Sequence, residues 1–147
     1  MAGELSHILV PTDGSEQALD AARVAGHLAR GLDAKVTVVI VHAEDIVPAL
    51  AWQDVMEVDE VRARLESDAR EKALPDTVNA LGKLSEQPEC FQLWGHPGEK
   101  ICQFAEESNV SLIVMGSHGR SGFKRLVLGS VSNMVVNHAP CAVTIVR

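Results

Sequence analysis

The sequence is poor in several features that mark specialised classes of protein. Its 147 residues include only three cysteines, Cys90, Cys102 and Cys141, an odd number at wide spacing. This pattern excludes a disulfide framework and a paired-cysteine metal or redox site. We therefore interpret the three as small core residues in a reducing compartment.

Long apolar runs and an excess of basic charge are also missing. No apolar run approaches the ~20 residues that cross a bilayer, and residues 1–4 lack the basic and apolar regions of a secretory signal. The net charge of −7 offers no basic surface to a nucleic-acid backbone. We expect a cytoplasmic protein with no membrane insertion and no nucleic-acid partner. One small anionic ligand in a local pocket is compatible with this charge.

Apolar runs typical of strands alternate with segments of helical periodicity. Strands are predicted at residues 7–11, 36–41, 90–94, 112–115 and 142–146. Helices are predicted at residues 15–30, about 55–81, 97–108 and 131–138. Strands with interleaved helices imply right-handed crossovers and a mainly parallel, doubly wound sheet. The nearly continuous β-branched run at 36–41 is typical of a strand covered on both faces, and the alternating run at 90–94 suits an edge.

The first helix carries a stripe of small residues that lets it lie close to a sheet. Ser15 is its predicted N-cap and Gly31 its predicted C-terminal stop. The stripe consists of Ala18, Ala22, Ala25 and Ala29.

Two parts of the middle of the chain are less regular. Pro75 predicts a kink or a break into two helices near Leu74. Residues 43–54 have no clear periodicity, so we interpret them as a loop after the second strand. That loop is either a lid over a bound ligand or an ordinary connection.

The most informative pattern is a pair of glycine clusters near the C-terminus. Gly116-Ser117-His118-Gly119 follows the predicted strand at 112–115, and Gly129-Ser130 opens the predicted helix at 131–138. Glycine amides can close on phosphate with no side chain in the way, and a helix dipole favours negative charge. The clusters therefore predict an anion cradle, with a nucleotide as its ligand. Ser130 is also compatible with the N-cap of that helix. Three basic residues lie between the two clusters and could either bind phosphate or belong to a solvated loop: Arg120, Lys124 and Arg125.

Other phosphate-binding loops are missing. The chain has neither GxxxxGK[ST] nor a GxGxxG after the first strand, which ends in Pro11-Thr12-Asp13-Gly14. Ligands of open α/β sheets bind at the carboxyl ends of strands, where the winding direction reverses. The loops after 7–11, after Val41 and at 116–119 would meet there if the first and fourth strands are neighbours. Asp13 is either a ligand-binding residue or the start of a turn.

These residues together resemble the universal stress proteins, in their ATP-binding branch, over nearly the whole chain. Residues 8–15 resemble the opening strand and turn of that family, and residues 112–119 and 140–146 resemble its C-terminal half. The family pattern G-x2-G-x9-G-[ST] is met by Gly116, Gly119, Gly129 and Ser130. The expected fold is a single-domain, Rossmann-like α/β fold over residues 1–147. It has a five-stranded parallel sheet of order 3-2-1-4-5 with helices on both faces.

The resemblance implies a site for ATP, with AMP or ADP as alternatives, and Mg²⁺ held by the phosphates. The nucleoside would lie against Pro11, Thr12 and Asp13, with the backbone of Val41 at adenine and Met115 and Gly116 at the ribose. The phosphates would lie between Ser117, His118, Gly119 and Arg120 on one side and Gly129, Ser130, Val131 and Ser132 on the other. No residue is expected to act as a catalyst. No metal ligand is expected either, because the histidines share no ligand spacing.

Three functions are compatible with such a site. The first is a regulator that controls a partner protein according to whether its nucleotide site is occupied. The family resemblance implies a role in stress adaptation, with a transporter as one possible kind of partner. One alternative is a slow ATPase or phosphoryl-transfer enzyme. The other is an interaction protein with a vestigial pocket, and the intact glycines argue against a vestigial pocket.

Gly116→Val or Gly129→Val is expected to abolish ATP binding and preserve the fold. The apolar strand at 141–146 predicts a homodimer by edge pairing, and a higher oligomer is an alternative.

Overall fold

A single parallel sheet organises the computed structural model, which describes residues 3–118 and 128–147. The described strands run in the order β3-β2-β1-β4-β5, and every pair of neighbours is parallel. The predicted order is therefore confirmed, with β1 at the centre and β3 and β5 at the edges. The strands are β1 (His7–Pro11), β2 (Lys35–His42), β3 (Glu89–Trp94), β4 (Leu112–Gly116) and β5 (Ala142–Val146).

Helices cover both faces of the sheet, as predicted. The described helices are α1 (Glu16–Leu32), α2 (Val47–Asp54), α3 (Val58–Asp68), α4 (Leu74–Leu81), α5 (Pro97–Glu107) and α6 (Ser130–His138). Helices α1 and α4 pack on one face, and α5 and α6 pack on the other. Alternation along β1 supplies both cores, because Ile8 and Val10 face α1 whereas Leu9 faces α5. A strand buried on both faces must be apolar throughout, which explains the runs at β1, β2 and β4.

Helix α1 begins as predicted and ends differently. The Oγ of Ser15 accepts a hydrogen bond from the N–H of Ala18 at 3.3 Å, which confirms the N-cap. The predicted stop at Gly31 is wrong, because the helix continues to Leu32. It ends at Asp33, whose left-handed backbone (φ 52°) lets its N–H bond to a carbonyl of the last turn. Aspartate adopts this conformation more readily than most residues other than glycine.

The predicted loop at 43–54 is wrong. Residues Glu44–Ile46 form a 3₁₀ turn, and α2 follows directly. Its apolar residues Val47 and Ala51 are buried against Val61 of α3, in a small core of their own. Pro48 lies in the first turn, where a missing N–H costs nothing.

The predicted division into two helices near Leu74 is confirmed, because α3 ends at Asp68 and α4 begins at Leu74. A π-helical turn, Ala69–Ala73, joins α3 to α4 without leaving helical geometry. The N–H of Leu74 bonds to the carbonyl of Ala69, five residues back, and this wider turn accommodates the proline ring that follows. Pro75 then lies in the first turn of α4.

The cysteines are less buried than predicted. Cys90 is exposed, because β3 is an edge strand, so its interpretation as a core residue is wrong. Cys102 and Cys141 are half-buried against the core beneath α5 and α6. Burial raises the pKa of both thiols, so neither has the thiolate character of a reactive cysteine.

His7 joins three elements at the amino end of the sheet. Its Nδ1 donates to the carbonyl of Ser108 at 3.2 Å, and its Nε2 accepts from the hydroxyl of Thr37 at 2.8 Å. Burial lowers the pKa of His7 below its ordinary value of 6.5, opposed by the bond to Ser108 and assisted by the charge of Lys35. The folded state therefore favours the neutral ring.

This preference predicts a loss of stability in mild acid. The contribution of neutral His7 is present above pH 6.5, the unfolded-state value, and is lost as the pH falls through the lower folded-state pKa. We expect the drop in Tm between pH 7 and pH 5 to be smaller in His7→Gln than in the wild type. The exposed His27, changed to Gln, serves as the control and should leave the drop unchanged. Equal drops in all three proteins would contradict the assignment.

Candidate functional site

A crevice of about 230 Å³ opens at the carboxyl ends of β1, β2 and β4. The chain winds to opposite sides of β1 at this point, which is where open α/β sheets bind ligands. Twelve of the fourteen predicted residues line it: Pro11, Thr12, Asp13, Val41, Met115, Gly116, Ser117, His118, Gly129, Ser130, Val131 and Ser132. The other two, Gly119 and Arg120, lie outside the described residues, as do Lys124 and Arg125.

The remaining lining residues are all apolar, and sequence reasoning missed them. They are Ala18, Val39, Pro97 and Ile101. Strand alternation offered a signal for Val39, because residues two apart share a face and Val41 was already in the predicted site. No residue of 43–54 lines the crevice, so the segment is not a lid over it in this structure.

The edge of β2 is open where it borders the crevice. The last hydrogen bond from the β1 side runs from the N–H of Thr12 to the carbonyl of Val39, at 2.9 Å. Residues two apart on a strand direct their N–H and C=O groups to the same side. The N–H and C=O of Val41 therefore face the crevice beyond the end of β1. A strand edge of this kind presents one donor and one acceptor, which matches the edge of a purine base.

The turn after β1 is held by its own side chains. The carboxylate of Asp13 accepts the N–H of Ser15 at 2.9 Å, and the hydroxyl of Thr12 accepts the N–H of Gly14 at 3.1 Å. The same hydroxyl bonds to the hydroxyl of Thr77 at 2.9 Å, which ties the turn to α4. Asp13 therefore shapes the turn and also lines the crevice, so the two interpretations of this residue are compatible.

The two glycine clusters meet directly at the other end of the crevice. The carbonyl of Ser117 accepts the N–H of Gly129 at 2.8 Å and the hydroxyl of Ser132 at 2.6 Å. The N–H of Ser117 itself bonds to the carbonyl of Val146 in β5, at 3.0 Å. These amides of Ser117 and Gly129 are therefore used within the fold rather than directed at a ligand.

Gln17, in the first turn of α1, positions the turn after β4. Its Oε1 accepts the N–H of His118 at 2.8 Å and the hydroxyl of Ser117 at 3.4 Å. The N–H of His118 is thus also engaged. Sequence reasoning missed Gln17, because a single polar residue on a helix carries no signal for a contact a hundred residues away.

The first turn of α6 supplies the amides that face the crevice. Gly129 occupies the N-cap position, so the interpretation of Ser130 as the N-cap is wrong, and no described side chain caps this end. The first bond of the helix runs from the N–H of Asn133 to the carbonyl of Gly129, at 2.9 Å. The N–H groups of residues 130–132 precede it and have no partner within the helix. Together with the helix dipole they favour an anion in the crevice.

Gly116 and Gly129 are required for close packing. A Cβ at Gly116 would lie 3.2 Å from the backbone of Gln17, and one at Gly129 would lie 3.1 Å from the carbonyl oxygen of Ser117. A valine at 116 would therefore press on Gln17, which would have to shift by a few tenths of an ångström, so we expect Gly116→Val to cost stability as well as binding. Gly129 faces the turn at the phosphate end, so its replacement acts locally.

The described residues contain neither a cluster of metal-binding side chains nor a helix that could cross a membrane. Residues 3–118 and 128–147 contain no group of three or more histidines, cysteines or carboxylates that could hold a metal ion. Within the same part of the chain, every helix is too short or too polar to cross a bilayer.

A doubly wound parallel sheet with a ligand-sized crevice at its reversal point defines a Rossmann-like α/β protein. The sequence model of the Universal stress protein family matches residues 4–147. The chain therefore belongs to the universal stress protein family.

Individual members of the family are similar to this chain in sequence, and solved structures are similar to it in fold. Universal stress protein YxiE from Bacillus subtilis strain 168 is 35% identical over 148 residues, covering 95% of this chain and 97% of its own. The structure of hypothetical protein MJ0577 has a TM-score of 0.83 at 26% identity, covering 98% of this chain and 96% of that one. A universal stress protein in complex with cAMP has a TM-score of 0.66 at 25% identity, covering 99% and 98% of the two chains.

Proposed function

We propose that this protein binds an adenine nucleotide, ATP in preference to ADP or AMP, and that occupancy of the crevice regulates a partner in stress adaptation. The observation that carries the proposal is that main-chain polar groups from a strand edge and from a helix N-terminus border the same crevice. The edge of β2 at Val41 and the N-terminus of α6, which no side chain in residues 3–118 or 128–147 caps, both border the crevice. The relative in complex with cAMP supports an adenine nucleotide as the ligand.

The adenine end is defined by an apolar wall and one strand edge. Val39, Pro97 and Ile101 offer apolar surface to a flat base. The N–H and C=O of Val41 then read the base edge without a polar side chain, while Met115 and Gly116 lie where the ribose would follow. Binding of this kind selects the base by the pattern of its donors and acceptors.

The phosphate end is defined by main-chain amides. The N–H groups of residues 130–132 would hold the phosphates, with the helix dipole adding favourable charge. Mg²⁺ would be held by phosphate oxygens and would supply positive charge there. Gly119 and Arg120 remain part of this proposal through the family pattern alone.

A regulator fits the crevice better than an efficient enzyme. Phosphoryl transfer to water requires a carboxylate or amide that orients the attacking water near the terminal phosphate. Among the described lining residues the one carboxylate is Asp13, and the proposal assigns it to the nucleoside rather than to the terminal phosphate. Slow hydrolysis is the alternative function, and a turnover above about one per second would favour it.

A homodimer is part of the proposal. β5 is an edge strand, and four of its five residues are only half-buried. Pairing with β5 of a second copy would cover this edge. The same strand bonds to Ser117 through the carbonyl of Val146, so the dimer would support the turn at the phosphate end.

Calorimetric titration with ATP, ADP, AMP and adenosine tests the proposed site. We expect affinity to rise with the number of phosphates, and adenosine to bind about tenfold more weakly than AMP or worse, because it forfeits the charge-assisted bonds to α6. The purified protein should also show excess absorbance at 260 nm from bound nucleotide, since its chromophores are two tryptophans and no tyrosine. Adenosine binding as tightly as ATP would contradict the phosphate cradle, and no binding of any of the four would overturn the proposed function.

A further inference from the structure

The outer surface around α2 exposes large apolar side chains. Four of the eight exposed large apolar residues in the described chain lie between residues 46 and 58, and the side chains of Trp52 and Val55 are 89% and 92% exposed. A nearly bare tryptophan on a folded domain is unusual, because its burial contributes more than that of other residues. We call this region the Trp52 surface; it consists of Ile46, Trp52, Val55 and Val58.

Three of the five exposed residues of helix α2 are apolar, and the two polar ones, Gln53 and Asp54, lie at its C-terminal end. The helix buries Val47 and Ala51 on the side that packs against α3. Its outer side carries Pro48, Ala49 and Trp52, all exposed. An amphipathic surface helix places charged or polar residues there. The outer side of α2 is therefore apolar at Pro48, Ala49 and Trp52, which the core does not need, and polar at the end of the helix.

Val55 is held in a conformation that its side chain disfavours. It caps the C-terminus of α2 with a left-handed backbone (φ 53°, ψ 49°), and its N–H bonds to the carbonyls of Ala51 and Trp52. Glycine is the usual residue at this position, and a β-branched residue there is strained. The side chain is almost fully exposed, so packing does not offset the strain. Strain of this kind concentrates at functional surfaces.

Negative charge surrounds the Trp52 surface. Between residues 43 and 61 the chain carries no basic residue and six acidic ones: Glu44, Asp45, Asp54, Glu57, Asp59 and Glu60. The nearest bases, Arg62 and Arg64, form ion pairs with Glu44 and Asp54. The segment therefore combines exposed apolar side chains with an excess of acidic ones after two ion pairs are formed, and an interface combines an apolar core and a polar rim in the same way.

We propose that the Trp52 surface binds a segment of a partner protein that places basic side chains around apolar ones. The excess of acidic side chains attracts such a segment and steers its approach, while Trp52 and Val55 provide the buried anchors. A second copy of this chain fits poorly, because a symmetric contact would place like charges opposite each other. An anionic membrane is repelled for the same reason. The proposal is independent of the nucleotide site.

A labelled peptide of lysine and leucine at helical spacing serves as the probe, and its fluorescence anisotropy is measured with the full chain. We expect Trp52→Ala to weaken binding by about tenfold or more, as for a tryptophan anchor. Leu32→Ala is the matched control, since Leu32 is exposed on α1 at the opposite end of the sheet, and it should bind as the wild type does. The same peptide with glutamate in place of lysine should not bind.

Val55→Gly separates a binding role from a structural one. Glycine relieves the left-handed strain, so this variant should melt at a higher temperature than the wild type. It also removes an anchor, so it should bind the lysine peptide several-fold more weakly. A merely structural position would not become more stable and bind less at once.

Four outcomes would overturn the proposal. The first is equal binding of the lysine peptide by the wild type and Trp52→Ala, and the second is equal binding of the lysine and glutamate peptides by the wild type. The third is a lower sedimenting mass for Trp52→Ala than for the wild type. The fourth is binding to phosphatidylglycerol vesicles that depends on Trp52. The third would assign the surface to a second copy of the chain. The fourth would assign it to a membrane.

Discussion

Gly26→Ala is expected to lower the free energy of unfolding by about 3 kcal/mol or more, the upper part of the range for overpacked cores. A Cβ at Gly26 would lie 2.0 Å from the carbonyl oxygen of Leu81, where α1 crosses the end of α4. That oxygen is also fixed by a 2.7 Å hydrogen bond from Arg30. Neither backbone can move without separating α1 from α4, so the clash cannot be relieved without loss of packing between the two helices.

Gly31→Ala in the same helix is the matched control. Nothing lies within 4 Å of a Cβ at this exposed position, so alanine should raise stability by about 0.5–1 kcal/mol through helix propensity. Denaturant melts of the three proteins measure the difference, and Gly26→Ala should lower Tm by roughly 6–12 °C. A Gly26→Ala variant as stable as the wild type would show that α1 and α4 are further apart than the structure places them.

The fold could be predicted from the sequence because each strand carries its own signal. The apolar runs at β1, β2 and β4 indicate burial on both faces, and the mixed run at β3 indicates an edge. The stripe of alanines located α1 against the sheet. It did not identify Gly26 as the position of closest approach, because that depends on where α4 crosses, and crossing points leave no periodic pattern.

The errors in the fold arise where tertiary contacts override local propensity. Residues 47–54 form a helix because α3 offers Val61 as an apolar partner, which the periodicity of the segment does not reveal. The two helices predicted around Pro75 are observed, but a π turn joins them, because this stretch is held by its packing on α1. In both places the long-range contact decides the outcome.

The segments that line the crevice could be predicted from the sequence, but the contacts within it could not. The segments that carry the glycine pattern meet at one crevice, as far as the structure describes them. The structure shows that Gly116 and Gly129 permit close contacts with Gln17 and Ser117, whereas the amides that face the crevice belong to the next residues of α6. A sequence motif predicts which segments come together. It does not predict which main-chain atoms face the crevice, because that depends on long-range hydrogen bonds such as the one between Gln17 and His118.

Gly129→Val is expected to weaken ATP binding by about 100-fold or more. The valine side chain would press on the carbonyl of Ser117, 3.1 Å from its Cβ, and on the backbone of His118, 3.5 Å away. Relief requires the turn after β4 to move away from α6, which breaks the 2.8 Å bond between Gly129 and Ser117 and misplaces the amides of residues 130–132. Loss of two charge-assisted hydrogen bonds at about 1.5 kcal/mol each corresponds to that factor.

Adenosine distinguishes a local effect of Gly129→Val from general unfolding. The proposed base end involves β2 and α5, so calorimetric titration should give adenosine the same affinity for the variant and the wild type. Ser130→Ala is the matched control, because it keeps every main-chain amide and removes only a hydroxyl, and its affinity for ATP should stay within a few-fold of the wild type. Unchanged ATP affinity in Gly129→Val would refute the phosphate site. A loss in Ser130→Ala as large as that in Gly129→Val would instead assign the grip on phosphate to a side chain, which would overturn the main-chain cradle on which the proposed function depends.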